Sequence, residues 1–142
     1  MNIEFKECLE KRKLVRFPLA KRLAGREINQ AEDDLIDSKD SLKVKKYKWA
    51  TIQAYYSMFH TARSLIYRKG YREKSHYALM VALKTLYLGK GEVTREILEN
   101  LQTAKSLRED ADYHAKYSEE GARSLIQAAE NFLKSVKEIK EK

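Results

Sequence analysis

The chain has 142 residues, enough for one domain at about 100–200 residues per domain. Hydrophobic residues make up 43% and charged residues 35%, which argues against global disorder because a core can form. The five Gly and one Pro are too few for the turns of an all-β fold. The lone Cys8 excludes an internal disulfide and a Cys-x-x-Cys metal site. No stretch reaches the ~18 apolar residues of a membrane span, and no apolar signal segment is visible. We therefore expect a cytoplasmic protein that does not bind membranes.

The formal net charge of +8 is concentrated in one part of the chain. Residues 41–74 contain nine basic side chains and one acidic side chain, Glu73. The excess of positive charge in this segment therefore equals that of the whole chain. Such a cluster attracts nucleic acid phosphates and speeds association with them. A solvated, lysine-rich surface without a ligand explains the same pattern equally well.

Apolar residues at helical spacing predict a series of amphipathic helices. In chain order these cover about residues 3–14, 18–44, 46–69, 76–88, 93–113 and 118–139, the first being the least regular. Gly70 fits the C′ position that follows a helix, while Ser75 and Ser118 fit N-caps. Helices joined by short turns pack antiparallel. We expect an all-α, up-and-down antiparallel bundle of four to five helices, as one helical domain over residues 1–142, with 1–17 as a short N-terminal helix or arm.

Two of the three histidines occupy informative positions. His60 lies in the middle of a predicted helix, where a structural histidine bonded to a neighbouring helix is favoured over a catalytic one. His76 follows Lys74 and Ser75 at a predicted helix N-terminus, where backbone N–H groups can receive an anion. Capping of the helix by Ser75 is the favoured alternative. The sequence contains no motif for a metal, a phosphate-binding loop or a serine nucleophile, so we expect no metal and no cofactor.

The segment LREDADYHAKYSEE (107–120) brings together side chains suited to metal-free phosphodiester chemistry. The imidazole of His114 can move a proton to or from a ribose 2′-hydroxyl, and the guanidinium of Arg108 can stabilise charge on the phosphate. Tyr113 and Tyr117 can stack on a base or bond a phosphate. The Arg–His spacing alone carries a high false-positive risk, so its surroundings have to supply the rest of the evidence.

Those surroundings resemble the HEPN domain family (higher eukaryotes and prokaryotes nucleotide-binding), in its small stand-alone prokaryotic form. The resemblance covers about residues 27–137. It is carried by three blocks: Ala-Tyr-Tyr-x-Met-Phe-His-x-Ala-Arg at 54–63, Lys-Ser-His at 74–76, and Leu-Arg followed by Ala-Asp-Tyr at 107–113. The resemblance implies a helical bundle that forms a homodimer and, in many members, a metal-independent ribonuclease with an Arg-x(4–6)-His motif at the cleft between protomers. Matched residue by residue, that motif falls on Arg108 and His114.

The same resemblance implies a partner and also shows two departures from the family pattern. Many members are toxins paired with a minimal nucleotidyltransferase antitoxin, which can transfer AMP to a tyrosine two residues beyond the motif histidine. Lys116 occupies that position here, and Tyr117 lies one residue further. The residue after the motif arginine is often Asn or Asp in the family but is Glu109 here, a carboxylate that can repel a phosphate or pair with Arg108.

Two functions of different classes follow. The first is an endoribonuclease toxin in which Arg108 and His114 are catalytic and Lys74, His76, Tyr113 and Tyr117 bind the RNA substrate. The second is a non-catalytic subunit that binds a nucleotide, or a minimal nucleotidyltransferase, without chemistry of its own. A helical bundle without a ligand, dimerising through an apolar face, is a third possibility.

Overall fold

The computed structural model describes residues 2–139, and Met1 and residues 140–142 of the expected domain lie outside this range. Within it the chain forms six α-helices, two three-residue strands and a short 3₁₀ helix. Their bounds are α1 Ile3–Glu10, β1 Leu14–Arg16, α2 Ala20–Lys43, α3 Tyr47–Arg68, β2 Tyr71–Glu73, α4 His76–Tyr87, the 3₁₀ helix Leu88–Lys90, α5 Arg95–Tyr113 and α6 Glu119–Lys137. The expected all-α bundle is confirmed.

The long helices α2 and α3 pack antiparallel in a register fixed by buried serines. The Ser38 hydroxyl donates to the Ala50 carbonyl at 2.7 Å, and the Ser57 hydroxyl donates to the Ala31 carbonyl at 2.8 Å. The numbers of the paired residues rise on one helix as they fall on the other, which is the signature of antiparallel packing. Small residues at these positions let the two backbones approach closely, because little side-chain volume separates them.

Two turns lie at the same end of the bundle. The Tyr47 hydroxyl, in the first turn of α3, donates to Glu119 at the start of α6 over 3.0 Å. The turn before α3 (44–46) and the turn between α5 and α6 (114–118) are therefore neighbours. The opposite end carries the segment 69–75, which follows α3. The turns 44–46 and 114–118 can therefore form one surface, and the segment 69–75 belongs to another.

The expected caps are confirmed where side chains specify them. The hydroxyl of Ser75 accepts from the N–H of Ala78, and that of Ser118 accepts from the N–H of Gly121. Gly70 follows α3 with φ +80°, in the left-handed region that glycine enters without a steric penalty. Helix α2 begins at Ala20 rather than at Pro18, because the preceding residues form a tight turn in which the Ala20 N–H bonds the Phe17 carbonyl.

The N-terminal arm is more structured than the sequence predicted. Helix α1 ends at Glu10 rather than near Leu14, and Leu14 begins β1, which pairs antiparallel with β2. Phe5 of α1 is fully buried, and its ring meets Tyr71 of β2 edge-on at 5.4 Å. The arm thereby fixes the segment between α3 and α4. None of the helices in residues 2–139 combines the length and apolar character needed to span a bilayer.

Candidate functional site

Arg108 of α5 is held from several directions. One Nη atom donates to the Tyr56 hydroxyl of α3 at 2.9 Å and lies 3.3 Å from the Asp112 carboxylate one turn further along α5. The guanidinium also lies 5.7, 5.5 and 5.5 Å from the ring centroids of Tyr55, Tyr56 and Tyr113. Only 21% of the side chain is exposed, and its Nε atom is buried without a hydrogen bond in the described range. The side chain is therefore pre-oriented by its surroundings.

The environment of Arg108 keeps it charged. Burial opposes the charged form, but the surrounding Tyr56, Tyr113 and Asp112 outweigh burial and raise the pKa of Arg108. A guanidinium fixed at the edge of aromatic rings, with part of its surface open to solvent, can receive an anionic group.

His114 lies at the C-terminal end of α5, where it is exposed. Its backbone N–H bonds the Asp110 carbonyl at 3.1 Å, and its ring forms no hydrogen bond or ion pair with any residue from 2 to 139. Arg108 lies within α5, whereas His114 is the C-cap residue that follows the last helical residue, Tyr113, with φ −121° and ψ 3°. The end of α5 therefore separates the two side chains of the motif.

The residue after His114 adopts an unusual backbone conformation. Ala115 has φ +51°, in the left-handed region that costs a residue with a Cβ about 1–2 kcal/mol. The Lys116 N–H then returns to the Asp110 carbonyl at 3.0 Å and turns the chain towards α6. Arg12 after α1 and Lys45 after α2 adopt the same left-handed conformation, so this turn is a common way of ending a helix in this chain.

The two tyrosines predicted to contact a substrate are both exposed. Tyr113 is 65% exposed and its ring lies beside Arg108, whereas Tyr117 is 52% exposed in the turn before α6. The structure therefore groups Tyr113 with Arg108 and leaves Tyr117 further along the turn.

Lys74 and His76 lie together in a separate concavity of about 690 Å³. It is lined by residues of α3 and of the segment that enters α4: Tyr55, Phe59, Arg63, Arg72, Glu73, Lys74, Ser75 and His76. The ring of Tyr55 lines this concavity and also packs against Arg108. The concavity and the Arg108 cluster are therefore adjacent, whereas His114 and Tyr117 do not line it.

His76 is a neutral histidine at the start of α4. Both ring nitrogens are buried without a hydrogen bond of good geometry in residues 2–139, although the Gln102 amide lies nearby. Burial, and then the positive charge of Lys105, lower the pKa of His76, against smaller opposing effects of Gln102 and Glu109. The imidazole is consequently neutral at pH 7. Capping of α4 by Ser75, the favoured explanation of this turn, is confirmed.

A second charged cluster, which the sequence did not single out, lies at the wall of the concavity. The Arg63 guanidinium contacts both carboxylate oxygens of Glu73, the shortest distance being 2.6 Å, and only 4% of the Glu73 side chain is exposed. Arg63 also stacks on Phe59, 4.5 Å from the ring centroid. The signal that could have revealed this pair is Arg63 itself, a charged residue at helical spacing within the apolar stripe of α3.

His60 is structural, as its mid-helix position predicted. One ring nitrogen lies 3.2 Å from Glu27 and the other 3.7 Å from Asp34, both on α2.

The acidic residues near the motif also have defined partners. Glu109 pairs with Lys105 at 3.5 Å, whereas the carboxylate that pairs with Arg108 is that of Asp112. In residues 2–139, no three His, Cys, Asp or Glu side chains are placed to hold a metal ion.

Comparisons with known proteins identify relatives and a shared fold. Two proteins of Methanocaldococcus jannaschii, named "Putative toxin MJ0605" and "Putative toxin MJ0142", are 31% and 28% identical to this chain. The first alignment covers 78% of this chain and 83% of the relative, and the second covers 82% and 81%. An Archaeoglobus fulgidus protein named "UPF0332 protein" is 28% identical over 78% of this chain and 89% of its own length.

A solved structure shares the fold. The crystal structure of TT1696 from Thermus thermophilus superimposes with a TM-score of 0.69 over 82% of this chain and 97% of that protein, at 18% identity. A model of the HEPN domain matches residues 25–139. Because that match spans most of the chain, the protein belongs to the HEPN domain family.

Proposed function

We propose that the protein is a toxin of the HEPN type that cleaves RNA without a metal ion. The observation that carries this proposal is the geometry of the Arg-x5-His motif: a charged arginine held by three tyrosine rings, followed at the helix end by an exposed histidine without a partner in the described range. The names of the two Methanocaldococcus jannaschii relatives support the assignment to toxins. In this assignment the protein acts in the cytoplasm.

The proposed reaction is attack of a ribose 2′-oxygen on the adjacent phosphorus. The His114 imidazole takes the proton of the 2′-hydroxyl as the new P–O bond forms, and it returns that proton to the 5′-oxygen as the old bond breaks. Arg108 stabilises the additional negative charge on the phosphate oxygens. Neither step requires a metal ion, since proton transfer and charge stabilisation are both supplied by side chains.

A homodimer brings the two groups to one phosphate. Arg108 is held within α5 by Tyr56 and Asp112, whereas His114 is exposed beyond the end of that helix. A second copy, docked at the end of α5, places the histidine of one protomer opposite the arginine of the other. The exposed rings of Tyr113 and Tyr117 lie at this end and provide apolar area for docking or for stacking of a base.

The remaining assigned residues bind substrate. Lys74 attracts the RNA backbone from the concavity beside Arg108, and the neutral His76 provides a ring nitrogen for hydrogen bonding. Tyr113 and Tyr117 stack on bases. A minimal nucleotidyltransferase is the proposed antitoxin partner, and Tyr117 is the tyrosine of the turn that such an enzyme could modify with AMP.

Cleavage of a single-stranded RNA in excess EDTA tests this proposal. The wild-type protein is expected to cut, and His114→Ala to lose the activity while keeping its unfolding temperature, because His114 is exposed. Tyr77→Ala removes another exposed aromatic side chain, on α4, and is expected to keep the activity. Undiminished cutting by His114→Ala would refute the catalytic role.

A specific observation favours the alternative of a non-catalytic subunit that binds a nucleotide or a minimal nucleotidyltransferase. The Asp112 carboxylate already pairs with Arg108, and Asp110 adds a further negative charge near the same helix end. In this alternative Arg108 binds a phosphate or an acidic partner surface only after Asp112 moves aside. Binding of a nucleotide by a protein that never cuts RNA in EDTA would favour this second function.

A further inference from the structure

We propose that the concavity between α3 and the start of α4 is a binding site for a nucleotide phosphate, with Arg72 and Lys74 as its ligands. The inference rests on the proposed RNA-directed function and extends it with a second subsite beside Arg108. Three observations support it. Arg63, Arg72 and Lys74 line the concavity, and the last two of them are exposed. The ring of Tyr55 lies in the wall of the concavity and also packs against Arg108.

The charge of the concavity remains available to a ligand. Arg63, Arg72 and Lys74 face one acidic residue, Glu73, among the residues that line the concavity. Glu73 is buried and engaged by Arg63 through both oxygens. It therefore neutralises Arg63. Arg72 and Lys74 are exposed and form no ion pair with another residue of the described range.

The backbone aims these two cations in one direction. Arg72 pairs with Val15 in the two-stranded ladder, and the N–H of Lys74 continues the ladder by bonding the Lys13 carbonyl at 2.8 Å. Alternate residues of an extended strand point to the same side. Arg72 and Lys74 therefore project together, while Glu73 between them points to the interior. This arrangement presents two positive charges to one ligand.

The walls and the size of the concavity suit a nucleotide. The Phe59 and Tyr55 rings are stacked, with centroids 6.3 Å apart, and form an apolar side of the concavity. The imidazole of His76 forms another part of the lining and still has unused hydrogen-bonding capacity in the described range. A volume of about 690 Å³ falls in the range of small-molecule sites. Because Tyr55 also contacts Arg108, a strand held here by one phosphate passes close to the proposed catalytic arginine.

Fluorescence anisotropy with a short, 3′-labelled, 2′-O-methyl oligoribonucleotide tests the site without cleavage, because this probe lacks the attacking hydroxyl. A second titration uses 5′-AMP alone. The test variant is Arg72→Ala/Lys74→Ala, and the matched control is Lys90→Ala/Lys134→Ala. The control removes the same total charge as the test variant, but from two exposed lysines that lie outside the concavity.

The test variant is expected to bind the oligonucleotide about tenfold more weakly than the wild type, as loss of charged hydrogen bonds implies. It should also lower the slope of log affinity against log salt by about 1.4, for two lost contacts at about 0.7 each on a single strand. The control is expected to change affinity by less than about twofold. If weakening extends to 5′-AMP, the site accepts a free nucleotide; if it is confined to the oligonucleotide, the site reads the phosphodiester backbone.

Equal affinities of the test and control variants would overturn the proposal. That outcome is separate from failure of the nuclease assignment, which is read from cleavage by the wild-type protein and by His114→Ala. Unchanged unfolding temperatures of both double variants show that the comparison concerns binding, since all four substituted side chains are exposed.

Discussion

The hydroxyl of Tyr56 accepts a hydrogen bond of 2.9 Å from Arg108, and this contact links α3 to α5 across 52 positions of sequence. Together with the contact to Asp112, it fixes the guanidinium in one orientation beside the rings of Tyr55 and Tyr113. Such pre-orientation reduces the entropy lost when a substrate phosphate reaches the arginine. The tyrosine therefore acts on the proposed reaction through Arg108.

Tyr56→Phe tests this positioning role. The variant keeps the ring but removes the acceptor, so we expect kcat to fall about tenfold with little change in KM. Tyr47→Phe is the matched control, because it also removes one hydroxyl contact of α3, the bond to Glu119, without touching Arg108. Steady-state cleavage of RNA by both variants provides the measurement. Equal kcat values for the two variants would show that Tyr56 does not position Arg108.

Glu73→Gln tests the buried ion pair that shapes the concavity. Only 4% of Glu73 and 24% of Arg63 are exposed, so the substitution leaves a largely desolvated guanidinium with only the longer 3.5 Å ion pair to Glu27 among the described residues. We expect the free energy of unfolding to fall by about 1–3 kcal/mol, measured by urea denaturation.

The control for this prediction is Glu130→Gln, which removes an ion pair with Lys39. Both side chains of that pair are nearly half exposed, at 44% and 45%. Its loss should cost no more than about 0.5 kcal/mol. A Glu73→Gln protein as stable as the Glu130→Gln protein would contradict the structural importance of the buried pair.

Ala115→Gly is expected to stabilise the protein. In the folded protein, the left-handed backbone costs alanine about 1–2 kcal/mol, and glycine avoids this cost. Glycine also gives the unfolded chain more conformational entropy, which favours unfolding by about 0.5–1 kcal/mol. We therefore expect the free energy of unfolding to rise by about 0.5–1 kcal/mol. The same substitution at Ala128, inside α6, should instead destabilise by about 1 kcal/mol. Thermal unfolding of both variants gives the comparison, and destabilisation by both would argue against strain at residue 115.

The depressed pKa of His76 predicts a loss of stability in acid. Burial, and then Lys105, disfavour the protonated ring in the folded state, so below its unfolded-state pKa of 6.5 the unfolded chain binds the proton more readily. The free energy of unfolding should therefore fall as pH drops below 6.5 and level off below the folded-state pKa. Urea denaturation from about pH 8 to about pH 5 measures this, and His76→Gln should show a smaller fall. A fall of equal size in both proteins would contradict the assignment to His76.

The helices were predictable because local chemistry specifies them. Ser75 and Ser118 cap helices where the sequence placed them, and Gly70 takes the positive φ that ends α3. The pairing of β1 with β2 was not predictable, because three-residue strands show no useful alternation and their partners lie far apart in the sequence. The fold class thus follows from periodicity, but the arm that fixes the segment 71–75 does not.

The candidate site was also predictable from the sequence only in part. Residue types, spacing and the family resemblance together singled out Arg108 and His114, and their catalytic role stays a prediction. The partners Tyr56 and Glu73 did not follow, because they meet Arg108 and Arg63 only through packing of separate elements. The position of His114 beyond the last helical residue depends on where α5 ends, which sequence spacing leaves open to within a few residues.

The most direct measurement co-expresses Arg108→Ala and His114→Ala chains with two different tags, purifies the mixed dimer and assays RNA cleavage in EDTA. If each active centre takes its arginine from one protomer and its histidine from the other, the mixed dimer contains one intact centre. It should then regain about half of the wild-type activity, while each variant alone stays inactive. A mixed dimer as inactive as its parents would contradict a site shared between two copies of this chain.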